Sequence, residues 1–99
     1  MPVLAIIETN ISDPSWLEAY TEQVTPMLAE IGARYLTRTD DIELIEGDNK
    51  PQFSVVVEFP SKEVALAFYN SEEYLPYRTA RLNGSSSKFL LVGVENGTE

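Results

Sequence analysis

Phe53-Ser54-Val55-Val56-Val57-Glu58-Phe59-Pro60-Ser61 passes from strand to helix within nine residues. The run Val55-Val56-Val57 is apolar at consecutive positions, which predicts a strand buried on both faces. Pro60 stops it. Ser61 then stands as an N-cap, Glu63 sits near the positive end of the helix dipole, and Val64, Ala67 and Phe68 recur at helical spacing toward a core. Reading backward, residues 47–51 (Gly-Asp-Asn-Lys-Pro) form a loop by composition, and residues 42–46 could extend a strand before it. Residues 33–39 place Arg34, Leu36 and Arg38 on one side and Tyr35, Thr37 and Thr39 on the other, a second strand that pairs most simply with 53–59 as a hairpin.

Further back, residues 2–8 are rich in Val and Ile on both alternating sets and predict a first strand, ending at Glu8. Asp13-Pro14 is an N-cap followed by proline at the first helical position. Leu17, Tyr20, Val24 and Ile31 keep helical spacing up to Gly32, a left-handed helix end, and Pro26 is expected to kink or split that helix. Forward of Ser61, Ser71 reads as a fresh cap, with irregular geometry at 74–76 and helix at 76–82. A turn at 83–87, a last strand at 89–94 and a frayed tail at 96–99 complete the chain.

The order β-α-β-β-α-β predicts an α+β, ferredoxin-like sandwich in one domain, residues 1–95: a four-stranded antiparallel sheet with two helices on one face. Two helices cover only one face, yet three strands are apolar on both. The open face is therefore expected to meet the same face of a second copy in a homodimer.

Composition narrows the chemistry. The 99 residues contain no Cys and no His, which excludes thiolate nucleophiles, histidine-ligated haem or zinc, and a Ser-His-Asp triad; no cofactor and no metal are expected. A net charge of -9 argues against nucleic acid. The absence of a long apolar run or a basic leader predicts a soluble, cytoplasmic chain without a membrane partner.

Asp13-Pro14 with Tyr20, residues 31–38 (IGARYLTR), Glu46-Gly47, Val57-Glu58-Phe59-Pro60-Ser61, and Phe68-Tyr69-Asn70-Ser71-Glu72-Glu73-Tyr74 leading to Arg78 and Arg81 resemble the domain of unknown function 1330 family over nearly the whole chain. The resemblance implies a dimeric α/β-barrel, a superfamily that also holds cofactor-independent monooxygenases, small lactone isomerases and haem-dependent enzymes. The family itself carries no assigned reaction.

From Tyr74 to Val94 there is no acidic residue, while Arg78, Arg81 and Lys88 fall in that window. Tyr74, Arg78 and Arg81 share a helix face by their spacing and suit a carboxylate or enolate, although structural ion pairs are the commoner use of such arginines. Glu58 is either paired with Arg34 or Arg38 across the hairpin or a candidate proton-transfer group, pairing being favoured. Tyr20 and Tyr69 are candidate pocket residues, beside Trp16 and Phe68. Three functions follow: binding of a small anionic or partly apolar molecule in the cleft between helices and sheet; a cofactor-independent isomerase or monooxygenase acting on one; or a protein-interaction module with no small ligand.

Overall fold

The computed structural model describes residues 2–94, so the expected tail at 96–99 lies outside the described residues. The strands are β1 (Val3–Ile11), β2 (Arg34–Thr39), β3 (Phe53–Phe59) and β4 (Ser85–Gly93), and the α-helices are α1 (Leu17–Glu30), α2 (Lys62–Tyr69) and α3 (Leu75–Gly84). The sheet is antiparallel, in the order β2-β3-β1-β4, with the hairpin pairing of β2 and β3 as expected from sequence. The fold is α+β and ferredoxin-like, with three α-helices rather than two because the chain breaks at residues 70–74 between α2 and α3. Among the described residues no helix is long and apolar enough to cross a membrane.

The local signals hold where the partner is near in sequence. The Asp13 carboxylate accepts from the Ser15 N–H at 3.0 Å, which holds its pKa below the usual carboxylate value and caps a 3₁₀ turn, Pro14–Trp16, that leads into α1. Ser61 accepts from the Val64 N–H at 3.1 Å. Gly32 takes φ +81°, and the Ala33 and Gly32 N–H groups return to the carbonyls of Leu28 and Ala29, closing α1 in a Schellman motif.

Five expectations are corrected. Pro26 does not split α1, which runs through it; it sits on the exposed side, where the orphaned carbonyl of Glu22 can turn to water. Residues 42–46 are not strand. β1 continues past Glu8 to Ile11, because Ser85 to Lys88 pair with Ile11 to Glu8. Ala67 is exposed, and Ala65 takes the core position of α2 instead.

The expected turn at 83–87 does not exist either: α3 runs into β4 without a loop. The carbonyl of Gly84 collects three donors, the N–H groups of Ser12 (2.9 Å) and Asp13 (3.0 Å) and the indole N–H of Trp16 (3.2 Å). A Cβ on Gly84 would overlap the Trp16 ring. Gly84→Ala should therefore lower stability by about 1–3 kcal/mol, the usual cost of overpacking, read as a fall in melting temperature. An unchanged melting temperature would contradict the close approach.

The core lies between the helices and one face of the sheet: Val3, Ala5 and Ile7 of β1, Val57 and Phe59 of β3, Val24 and Leu28 of α1, with Phe68 and Tyr74. Leu4, Ile6, Val56, Leu90 and Val92 occupy the other, open face, with Leu90 45% and Val92 44% exposed.

Candidate functional site

β1 and β3 present their odd-numbered residues to the helices, and toward the α1 N-terminus those layers separate enough to leave a cavity of about 270 Å³. Its floor is Ile7 and Thr9 from β1 with Phe53 and Val55 from β3; Leu17, Tyr20 and Val24 of α1 roof it. The walls are aromatic. The Trp16 ring meets Tyr20 edge-on at 5.4 Å, Tyr20 meets Tyr74 at 6.0 Å, and Tyr74 leans on Phe68 at 4.4 Å between ring centres.

Arg81 lines this cavity and is 3% exposed. One guanidinium nitrogen, Nη1, donates to the Ser87 hydroxyl at 2.6 Å, while Nε and Nη2 are buried with no hydrogen-bond partner in the protein. No acidic residue lines the cavity, and among the described residues no carboxylate pairs with Arg81. Burial acts against its charge, but the phenol oxygens of Tyr74 and Tyr20 act for it more strongly in sum, so its pKa lies above the ordinary value. It is a fixed cation.

The Tyr20 and Tyr74 hydroxyls are 2.6 Å apart. Burial, and then the neighbouring Tyr74, push the Tyr20 pKa far above the usual phenol value, against the opposing pull of Arg81. Tyr20 is thus a neutral phenol at physiological pH. Two hydroxyls share one mutual hydrogen bond, which leaves one O–H and several lone pairs for a third group.

The candidate residues separate into three places. Tyr20, Tyr74, Arg38 and Arg81 line the cavity. Arg34 and Glu58 lie opposite one another on β2 and β3 and form an ion pair at 2.9 Å, on the open face. Neither Arg34 nor Glu58 lines the cavity. Tyr69 and Arg78 brace the end of α2: Arg78 donates to the Tyr69 carbonyl at 2.8 Å and its guanidinium lies 4.9 Å from the Tyr69 ring centre. Arg78 thus completes a helix C-terminus instead of facing the cavity. Lys88, grouped with these arginines by sequence, pairs in register with Glu8 on the open face.

A bulge explains why Arg34 and Arg38 part company. The register shifts between Tyr35 and Thr37, so Tyr35 opposes Val57 and Arg38 opposes Val55, both on the helix side, while Arg34 opposes Glu58 on the other. Strict alternation would have put both arginines on one face. Ser87, Phe53 and Phe89 escaped the sequence reading: Ser87 was hidden by the expected turn, although the alternation Ser85, Ser87, Phe89, Leu91 carried the signal that β4 begins early.

The profile of the family described as Domain of unknown function (DUF1330) matches residues 2–94. The chain belongs to the DUF1330 family. Comparison with curated proteins gives no significant match. Among solved structures, this DUF1330 chain is similar to a protein of unknown function from Rhodopseudomonas palustris, with TM-score 0.79 and 12% identity over 96% of this chain and 83% of that one. It is also similar to SnoaB, a cofactor-independent oxygenase from Streptomyces nogalater, with TM-score 0.65 and 15% identity over 96% of this chain and 94% of that one. At such identities the likeness concerns the fold alone.

Proposed function

We propose that this DUF1330 protein binds a small, mostly apolar molecule carrying an anionic group in the cavity between helices and sheet, and does so as a homodimer joined through the open sheet face. The observation that supports the ligand is Arg81, a buried guanidinium with two unpartnered nitrogens in the wall of an apolar cavity. A buried unsatisfied donor costs about 1–3 kcal/mol, and more when charged, so a fold that keeps two on one cation has a use for them. A carboxylate, enolate or phenolate in the cavity neutralises the charge, and a small turn of the guanidinium brings its unpartnered nitrogens to the anion.

The cavity is less than twice the roughly 150 Å³ that accommodates a benzene ring, which points to one ring with a short chain or two fused rings. Calorimetric titration with 2-naphthoate tests this: saturable binding is expected, and none with naphthalene-2-carboxamide, which lacks the charge. Equal affinity for both compounds would remove the role given to Arg81.

A second, catalytic reading draws on the Tyr20–Tyr74 pair beside Arg81. Arg81 can hold the charge of an enolate or phenolate while the Tyr20–Tyr74 pair donates a hydrogen bond to its oxygen, the anion stabilisation a cofactor-independent isomerase or monooxygenase needs. Chromatography with mass spectrometry of a bound compound incubated in air separates turnover from binding: an isomer elutes elsewhere at unchanged mass, an oxygenated product gains mass, and a compound recovered unchanged was only bound.

The dimer reading draws on the open face. Its centre is a row of Val56, Ile6 and Leu90, continued by Leu4 and Val92, and it is flanked by Arg34–Glu58 on one side and by Glu8 opposite Lys88 on the other. An apolar centre with a paired polar rim is the anatomy of an interface.

A further inference from the structure

The cavity holds two arginines, and they stand at opposite ends of one row across the sheet. Arg38 on β2 faces Val55 on β3, Val55 faces Ile7 on β1, and Ile7 faces Phe89 on β4; all four line the cavity. The Arg81 guanidinium carbon is 5.8 Å from the centre of the Phe89 ring. Three inter-strand spacings of about 4.8 Å separate the two edge strands, so the row runs roughly 14 Å from backbone to backbone. Between its charged ends the floor is hydrocarbon, Val55 and Ile7, with Val24 on the α1 side.

Arg38 reaches this face only because of the bulge between Tyr35 and Thr37, since a one-residue change of register moves a side chain to the opposite face. Its guanidinium carbon lies 4.5 Å from the centre of the Tyr35 ring, a stacking that holds the side chain and leaves its N–H edge available. Among the described residues the ion pair within 4 Å is Arg34–Glu58, so neither Arg38 nor Arg81 has a carboxylate partner, in a chain with sixteen acids to seven bases. Such a chain has ample carboxylates to neutralise both. Keeping two cations unpaired around one apolar space, with no acid in its lining, is a charge pattern complementary to a molecule with two anionic ends.

We infer that the ligand is an elongated, mostly apolar molecule with an acidic group at each end, one seated at the buried Arg81 and the other reaching the exposed Arg38. This rests on the binding reading above and adds the second charge. The two ends differ in strength. Arg81 lies in a desolvated wall, whereas Arg38 is in contact with water, where a charge pair is worth about 0.2–1 kcal/mol.

The test compares 2-naphthoate with naphthalene-2,6-dicarboxylate by calorimetry at low salt, on the wild type and on R38Q. The wild-type protein is expected to bind the dicarboxylate about 1.5- to 5-fold more tightly. R38Q is expected to erase that preference by weakening the dicarboxylate more than it weakens 2-naphthoate. If 2-naphthoate binds but the dicarboxylate binds no better, or if R38Q weakens both probes alike, the second anionic end is overturned and the single-anion reading stands. Failure of both probes to bind the wild type overturns both.

Discussion

Arg81→Met should melt at a higher temperature than the wild type and lose its affinity for aromatic carboxylates. Methionine matches much of the length and volume of arginine and fills irregular apolar space. In the wild type, Arg81 has been taken from water, donates to the Ser87 hydroxyl, lies beside the Tyr74 hydroxyl, and leaves Nε and Nη2 without a close hydrogen-bond partner. Desolvating an ion costs several kcal/mol, and replacing buried charges by apolar groups of similar volume is often stabilising by 1–4 kcal/mol. Against this, Ser87 loses its partner, at about 1 kcal/mol. The net expectation is a gain of about 1–2 kcal/mol, or roughly 5–10 °C for a chain of this size. A variant that gains stability as it loses binding identifies a residue kept for its ligand. A lower melting temperature together with undiminished binding would place Arg81 among the structural residues.

Ile6→Lys should convert the protein from dimer to monomer. Ile6 lies at the middle of the open face, between Val56 and Leu90, so two copies meeting there would bring the introduced charges into a closed apolar patch. An uncompensated buried charge costs several kcal/mol, and each 1.4 kcal/mol is tenfold in the dissociation constant, so weakening of at least a hundredfold is expected. Light scattering at tens of micromolar should give twice the chain mass of 11.1 kDa for the wild type and the single mass for the variant. A wild type that scatters as a monomer would rule the dimer out.

How much of this was legible in the sequence depended on the distance over which each feature is specified. The Val55-Val56-Val57 run, the Asp13 and Ser61 caps and the Gly32 terminator all act through neighbours within a few residues; the caps and the terminator appear as read, and the run is a strand whose Val57 is buried on the helix side while Val56 is half-buried on the open face. The bulge in β2 does not announce itself in this way. Residues 34–39 alternate well enough to suit an unbroken strand, and only the pairing with β3 shows where one residue is left over. The Asn-Gly-Ser composition of residues 83–85 looked like a turn because the indole that Gly84 packs against lies 68 positions away. Arg81 was placed on the right helix face by its spacing from Tyr74, but nothing local distinguishes it from Arg78. One side chain ends on the Tyr69 carbonyl and the other in the cavity, and that difference is made by where α2 stops and β4 begins.

The most direct measurement is the electron density of the protein crystallised with 2-naphthoate. A carboxylate within about 3 Å of the Arg81 guanidinium, turned to bring Nε and Nη2 to the cavity, with the rings lying between Val55, Ile7 and Val24, is the expected result. Density for the compound outside the cavity, with ordered water alone on those two nitrogens, would contradict it.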